Sequence, residues 1–208
     1  MITVRHATEN DLPQILYIYN DIIKNTTAVY YYEPHTLDMR KAWFDERKKL
    51  GFPIFVAEED GVIVGMSTIG PFRVPTAYKY SVENTVHVAA NARGKGIGKS
   101  LLAPLIEAAK DLNMHTIIAG IDASNEVSLH LHKGFGFEEV AHFKQVGFKF
   151  DRWLDLKFLQ LILTTSPPKE GNLENDTLKS FRNKKRSNKT LNDGKCKEAK
   201  SSFRCLGY

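Results

Sequence analysis

Apolar residues near the start of the chain recur at helical spacing: Leu12, Ile15, Leu16, Tyr19, Ile22 and Ile23 lie on one face of a 3.6-residue period. The preceding "ITVRHAT" reads as a strand, and Thr8 followed by Asp11 imitates a capping box, with Asp in place of the usual Glu or Gln. A second helix is expected from Thr36 to Leu50, stopped by Gly51 and Pro53. "IFVAEEDGVIVGMSTIG" reads as two strands about an Asp60-Gly61 turn, because Asp-Gly accepts the positive φ that a tight hairpin needs. After a loop rich in aromatics and Pro come a strand "TVHVAA", a helix "KSLLAPLIEAAKDL", a strand "HTIIAGID" and a helix "SNEVSLHLHKG". Two final strands, "FGFEEVAHF" and "DRWLDLKFLQLIL", complete the pattern. The order βααββ, βα, βα, ββ predicts an α/β (α+β) fold: a mixed central sheet flanked by helices, in one domain over residues 1–165.

The composition changes this picture at one end only. Of 208 residues 42% are hydrophobic, enough for a real core, and the formal net charge is +5. Residues 166–208 carry eleven Lys or Arg against five Asp or Glu, so the body is nearly neutral and the tail makes the chain basic. That tail opens on Pro167 and Pro168 and has few large apolar residues in no steady period. It is expected to stay disordered, since it buries too little surface to offset chain entropy. Cys196 and Cys205, the chain's two cysteines, both lie in it, which removes thiol nucleophiles, Cys metal ligands and disulfides from the body. The polar start "MITVRHATEND" does not read as a signal peptide, and no apolar run approaches the ~18 residues of a membrane span. A cytoplasmic protein without membrane association is the expectation.

The stretch "ARGKGIGKS", residues 92–100, resembles phosphate-binding loops of three kinds. A Walker loop needs a first Gly where Arg93 stands, although "TIIAGID" mimics the strand that would follow. The dinucleotide fingerprint needs Gly-x-Gly-x-x-Gly, whereas Gly94, Gly96 and Gly98 alternate. The third pattern, Arg or Gln, two residues, Gly, one residue, then Gly or Ala, fits Arg93, Gly96 and Gly98 between a strand and a helix. A glycine-rich turn without a ligand is the plain alternative.

With that third pattern the chain resembles the Gcn5-related N-acetyltransferase superfamily over residues 2–163. The resemblance implies that Arg93, Gly94, Lys95, Gly96, Ile97, Gly98 and Lys99 hold the diphosphate of acetyl-coenzyme A, their amides gathered at a helix N-terminus. It implies further that Asn125, Ser128 and Leu131, in "NEVSLHLHKGFGF", lie beside the pantetheine, and that no metal takes part. His132 stands where many members have Tyr; an imidazole there can protonate the departing thiolate, or it is simply a helix-surface histidine. The stretches "IYNDIIKNTTAVY", "GPFRVPTAYKYSVENTVHV" and "QVGFKFDRWLDLKFLQLIL" resemble the phosphinothricin and methionine sulfoximine N-acetyltransferase family more narrowly. The implied reaction is acetylation of the α-amino group of a small amino acid with a tetrahedral, polar or anionic side-chain head.

Such a reaction asks for particular groups. An α-amino group with a pKa of about 7.7 to 8.0 must lose a proton before it attacks a thioester. Glu83 matches the family's proposed base, acting directly or through water; its alternative is an ordinary solvent-facing carboxylate. The amides of Val86, His87 and Val88 are candidates for the developing oxyanion, His87 standing where the family often has Tyr. Arg73 offers a bidentate fork for a carboxylate or phosphinate, unless it is only a solvated loop charge. Phe72 and Tyr78 are candidate pocket walls, and the family adds Val74, Pro75, Asn84 and Thr85 to the substrate site. Tyr30, Tyr31 and Tyr32 fit a pocket rim, a core or a dimer surface equally well.

A second functional class is a binding protein whose tail, with "FRNKKRSNK" at its centre, recruits nucleic acid or an anionic surface. The tail lacks regular aromatic interleaving, which argues against anything beyond non-specific contact, and "CLGY" makes a poor prenylation signal. The family resemblance also implies a homodimer. Because the resemblance ends near Leu163, truncation after Thr165 is expected to leave kcat and KM intact; a large loss of activity in that chain refutes this.

Overall fold

A computed structural model describes residues 1–164; the tail expectation lies outside the described residues. Its strands are β1 (Ile2–His6), β2 (Ile54–Glu59), β3 (Val62–Pro71), β4 (Ser81–Val88), β5 (Thr116–Asp122), β6 (Glu138–Lys149) and β7 (Arg152–Ile162). The helices are α1 (Leu12–Asn25), α2 (Leu37–Lys49), α3 (Ile97–Asp111) and α4 (Glu126–Lys133). The seven strands form a single sheet of order β1-β2-β3-β4-β5-β7-β6, antiparallel except for the parallel pair β4–β5. The expected mixed sheet flanked by helices is therefore the fold.

Strand alternation decides what each face carries. Val56, Ile63 and Met66 pack with Ile15, Ile18 and Ile22 of α1 and Phe44 of α2. Val64, Ile69 and Val82 pack with Leu101, Leu102 and Leu105 of α3 and Leu129 of α4. Gly65 permits the second contact, because a Cβ there would lie 3.0 Å from a Leu101 methyl. The chain start is fastened by Arg5, whose guanidinium donates twice to Asp11 at 2.8 Å and once to Glu58 at 2.8 Å. Asp11 also accepts from the Thr8 amide at 2.7 Å, as the capping-box spacing suggested, and the Arg5 hydrogen bonds hold its carboxyl down at about 2.

Several boundaries differ from the periodicity. β4 begins at Ser81 rather than Thr85, so Glu83 lies well inside it, and α3 begins at Ile97 rather than Lys99. β6 runs on to Lys149 instead of ending at Phe143. Its register against β7 shifts between Phe143 and Gly147, with Gln145 at φ 54°, and this irregularity hides the second half from an alternation count.

That second half of β6 anchors the segment joining α1 to α2. Lys149 is buried and donates to the carbonyls of Ile23, Thr26 and Val29 at 2.6, 2.9 and 2.7 Å, satisfying the end of α1 and the turn beyond it. The Tyr32 hydroxyl donates to the Phe148 carbonyl, and Tyr30 lies on Gly147, where a Cβ would meet its ring at 2.5 Å. Tyr30 and Tyr32 thus bind the α1–α2 segment to β6, while Tyr31 packs edge-on to His35. Lys149→Met orphans these three carbonyls, two of them in part-buried contacts, and is expected to lower stability by at least about 3 kcal/mol in urea unfolding, since each orphaned acceptor costs about 1 to 3 kcal/mol.

Candidate active site

The parallel pairing of β4 with β5 is short. Only Ser81–Glu83 stand opposite Thr116–Ile118; beyond that, β4 keeps its partner β3 as far as Val88 and β5 keeps β7 as far as Asp122. The two strands part after Glu83, leaving one edge of β4 without a ladder. The Ala89 amide donates to Val64 on β3 at 2.9 Å, so alternation turns the Val86 and Val88 amides to the open edge. The Val88 carbonyl shares that edge and accepts from Arg93 Nε at 3.4 Å. His87 does not share it: its amide points to β3, and only its two neighbours offer free donors to the fork.

Side chains of β4 divide between the two faces. Glu83, Thr85 and His87 stand opposite Gly70, Thr68 and Met66, on the α1/α2 face. Asn84, Val86 and Val88 stand opposite Ile69, Ser67 and Gly65, on the α3/α4 face. The sequence grouping of Asn84 with Glu83 and Thr85 is thereby split, because neighbours in a strand point to opposite sides.

Glu83 is half-buried and reaches over the fork: a Cβ on Gly120 of β5 would lie 3.0 Å from its Oε1 and 3.3 Å from the Phe158 ring. Burial pushes its carboxyl pKa up, and Arg73 and then Arg47 oppose the rise. Around it stands an aromatic wall. Phe72 meets Tyr78 edge-on at 5.9 Å and Phe158 at 6.3 Å, and Phe158 meets Phe143 at 5.7 Å. Arg73 lies over the Phe72 ring at 4.3 Å, on an exposed loop with Val74, Pro75 and Tyr78. Sequence reasoning missed Gly120, Phe143, Phe158 and Arg47, which lie in other elements and carry no local motif.

His87 packs against Tyr19 at 5.7 Å. Burial, with the nearby Arg40 guanidinium adding to it, pushes its pKa down to about 4, so the ring is neutral near pH 7. Thr85 stands half-buried on the same face.

His132 is not the helix-surface histidine of the alternative reading: it is 3% exposed. Its Nδ1 lies 2.8 Å from the Ser128 carbonyl, which only accepts, so the hydrogen is on Nδ1. Nε2 then accepts from Asn84 Nδ2 at 2.8 Å. Burial lowers the ring's pKa and favours this neutral form. Both nitrogens are engaged within the protein, and Asn84 Oδ1 is left buried without a partner. The geometry therefore ties α4 to β4 at the parting of the strands, and it offers no free N–H for a thiolate.

At the glycine loop, Gly94 and Gly96 take φ of 79° and 77°, a left-handed conformation that costs glycine least. Apart from the adjoining residues of the chain, no protein atom lies within 4 Å of where their Cβ atoms would be, so the loop opens outward. α3 has no side-chain cap, which leaves the first amides of the helix directed at that space. Ile97 is buried in the core and contributes only backbone there, whereas Lys99 is exposed. Lys95 is engaged with Glu59 at 2.9 Å, an exposed pair of small worth. Gly98 serves packing, since a Cβ would meet Leu131 of α4 at 3.1 Å. Asn125 caps α4 by accepting from the Ser128 amide at 3.1 Å. Among the described residues no group of three or more His, Cys, Asp or Glu could hold a metal ion, and no helix is long and apolar enough to cross a membrane.

Comparison with known proteins agrees with this architecture. The family model described as "Acetyltransferase (GNAT) domain" matches residues 4–157. The L-methionine sulfoximine/L-methionine sulfone acetyltransferase of Pseudomonas aeruginosa is 44% identical over 169 residues, 80% of this chain and 98% of that protein. The L-amino acid N-acyltransferase MnaT of Escherichia coli is 41% identical over 162 residues, 78% of this chain and 94% of its own length. Among solved structures, the phosphinothricin acetyltransferase of Sinorhizobium meliloti in complex with acetyl-coenzyme A matches with a TM-score of 0.79 at 36% identity, over 82% of this chain and 94% of that one.

The His132 geometry makes a spectroscopic prediction. Long-range ¹H–¹⁵N spectra of the imidazoles are expected to show His132 as the Nδ1–H tautomer, titrating below the ordinary histidine value of about 6.5; an Nε2–H tautomer at neutral pH contradicts the assignment.

Proposed function

The chain belongs to the acetyltransferase (GNAT) family, and on that premise we propose that it acetylates the α-amino group of a small amino acid with a tetrahedral side-chain head. Methionine sulfone, methionine sulfoximine and phosphinothricin are the named acceptors, and acetyl-coenzyme A is the donor. The observation that carries the proposal is the fork: a half-buried carboxylate on one face of the sheet, beside two unladdered amides on the strand edge where β4 and β5 part.

The residues fit the donor. The outward-opening Gly94–Gly96 turn and the uncapped start of α3 suit a diphosphate, with Arg93 and Lys99 adding charge and the amides of Ile97, Gly98 and Lys99 adding donors. The fork between β4 and β5 suits the acyl-pantetheine arm, which carries amides able to complete the open strand edge. Its orphaned acceptor, Asn84 Oδ1, suits an amide N–H of that arm, with Asn125 and Ser128 on the α4 side.

The chemistry follows from position. Glu83 takes the ammonium proton, directly or through water, and the freed amine attacks the thioester carbonyl. The Val86 and Val88 amides, fixed by the β3 ladder, receive the charge that develops on the carbonyl oxygen. The C–N bond forms as the C–S bond breaks: the sulfur departs with the electron pair, and the second proton, which the nitrogen sheds as the amine becomes an amide, neutralises the thiolate to the free thiol. His132 acts by holding Asn84. Phe72, Tyr78, Phe143 and Phe158 exclude water, and Arg73, Val74 and Pro75 form the acceptor's outer wall.

We extend the proposal to a homodimer in the cytoplasm, with residues 1–165 as the catalytic domain; the exposed Phe148–Trp153 pair on the β6–β7 hairpin offers apolar surface for a second copy.

Thiol release from acetyl-coenzyme A tests the reaction. Methionine sulfone and phosphinothricin are expected to drive it and spermidine not to. Glu83→Gln is expected to lower kcat by roughly 10²- to 10⁴-fold. Because burial raises the Glu83 pKa, the acid limb of the kcat/KM profile is expected above the ordinary glutamate value of about 4.3. Spermidine as the best acceptor refutes the acceptor class, and an unaffected Glu83→Gln refutes the base.

A further inference from the structure

Arg47, near the end of α2, is absorbed by none of the roles above. Its side chain is only 12% exposed, and its Nε is buried without a hydrogen-bond partner. Its one ion pair among the described residues is with the exposed Glu46, at the 4.0 Å limit. A buried guanidinium so weakly matched is costly unless a ligand completes it.

Its position says where that ligand sits. A Cβ on Gly70 would fall 2.5 Å from Arg47 Nη2, 2.6 Å from Cζ and 3.0 Å from Nε, so the guanidinium lies against the bare backbone of β3. Gly70 is the cross-strand partner of Glu83, and both are on the α1/α2 face. On that face Arg47 lies over Gly70, beside Glu83, whose Oε1 reaches past its register partner Ile118 to Gly120 and Phe158. Any side chain at position 70 would occupy the seat of the guanidinium.

We propose that Arg47 is the anchor for the α-carboxylate of the acceptor, held in a cradle that Gly70 leaves open beside Glu83. This rests on the amino-acid acceptor proposed above. In an α-amino acid the amine and the carboxylate share one carbon, so seating the amine at Glu83 brings the carboxylate to the neighbouring cation. Of the two arginines near Glu83, Arg47 is the more buried, and a desolvated guanidinium is best matched by a full negative charge in bidentate contact. Arg73 stands on the exposed loop, where its charge is screened, and suits a head that varies from neutral sulfone to phosphinate. Burial lowers the Arg47 pKa while Glu46 and Glu83 raise it, which accords with a cation awaiting a partner.

The test compares methionine sulfone with its carboxamide, which keeps the amine and the sulfone and loses the charge. The ratio of their kcat/KM values is measured for the wild-type protein, Arg47→Gln and Gly70→Ala. Effects on Glu83, on coenzyme binding or on folding fall equally on both acceptors and cancel in the ratio. Arg47→Gln is expected to lower the acid-to-amide ratio by about 10- to 100-fold, mostly through KM of the acid, as loss of charge-assisted hydrogen bonds implies. Gly70→Ala, which keeps the arginine but displaces it, is expected to lower the same ratio. Should Arg47→Gln fail to fold, by its melting temperature, Gly70→Ala carries the test. A ratio within threefold of wild type in either folded variant overturns the assignment while leaving the acetyl transfer intact. Wild-type protein that turns over neither acceptor overturns the amino-acid acceptor itself, and the anchor with it.

Discussion

The parting of β4 from β5 after a three-residue parallel contact is the constraint on which the site depends. A sheet normally satisfies both edges of each inner strand, and leaving one edge of β4 unpaired costs backbone hydrogen bonds in the middle of a fold. The cost is tolerated because each strand keeps its other neighbour, β3 or β7, through the whole length of the fork. The opening yields two kinds of group at one place: amide donors on the strand edge and alternating side chains on either face. Everything else in the site is arranged around that geometry.

Each face closes the fork differently. On the α3/α4 side, Gly98 lets α3 approach Leu131, and His132 bridges α4 to Asn84, so the helix after β5 is tied back to the strand that β5 has left. On the α1/α2 side, glycines take the place of side chains where polar groups must lie close to the sheet, Gly70 beneath Arg47 and Gly120 beneath Glu83. Lys149, Tyr30 and Tyr32 draw the α1–α2 segment onto β6, which walls the same face. The buried polar groups here cost stability singly. One cause, burial, moves their pKa values in opposite directions according to charge type: the Glu83 carboxyl goes up, and the Arg47 guanidinium and the His87 and His132 imidazoles go down.

The legibility of the chain follows the range of the forces involved. The helical period from Leu12 to Ile23, the Asp60-Gly61 hairpin and the glycine loop before α3 are local, and they are plain in the sequence. Glu83 and Arg73 became candidates through a resemblance that spans the body, not through any local motif. The second half of β6 was not legible, because a register shift breaks its alternation. His132 was a candidate proton donor only because it stands where the family often has Tyr. Its tautomer depends on the Ser128 carbonyl one turn away and on Asn84, 48 positions earlier.

By itself, then, the sequence determined the element order, the class of fold, the family and the chemical types available, because periodicity, turn residues and motif spacing act over a few positions. Tertiary structure alone decided which of those groups meet. It set Asn84 apart from Glu83 by strand alternation and engaged Lys95 with Glu59. It also carried Arg47 from α2 to Gly70, because burial and cross-strand register are properties of the packed sheet.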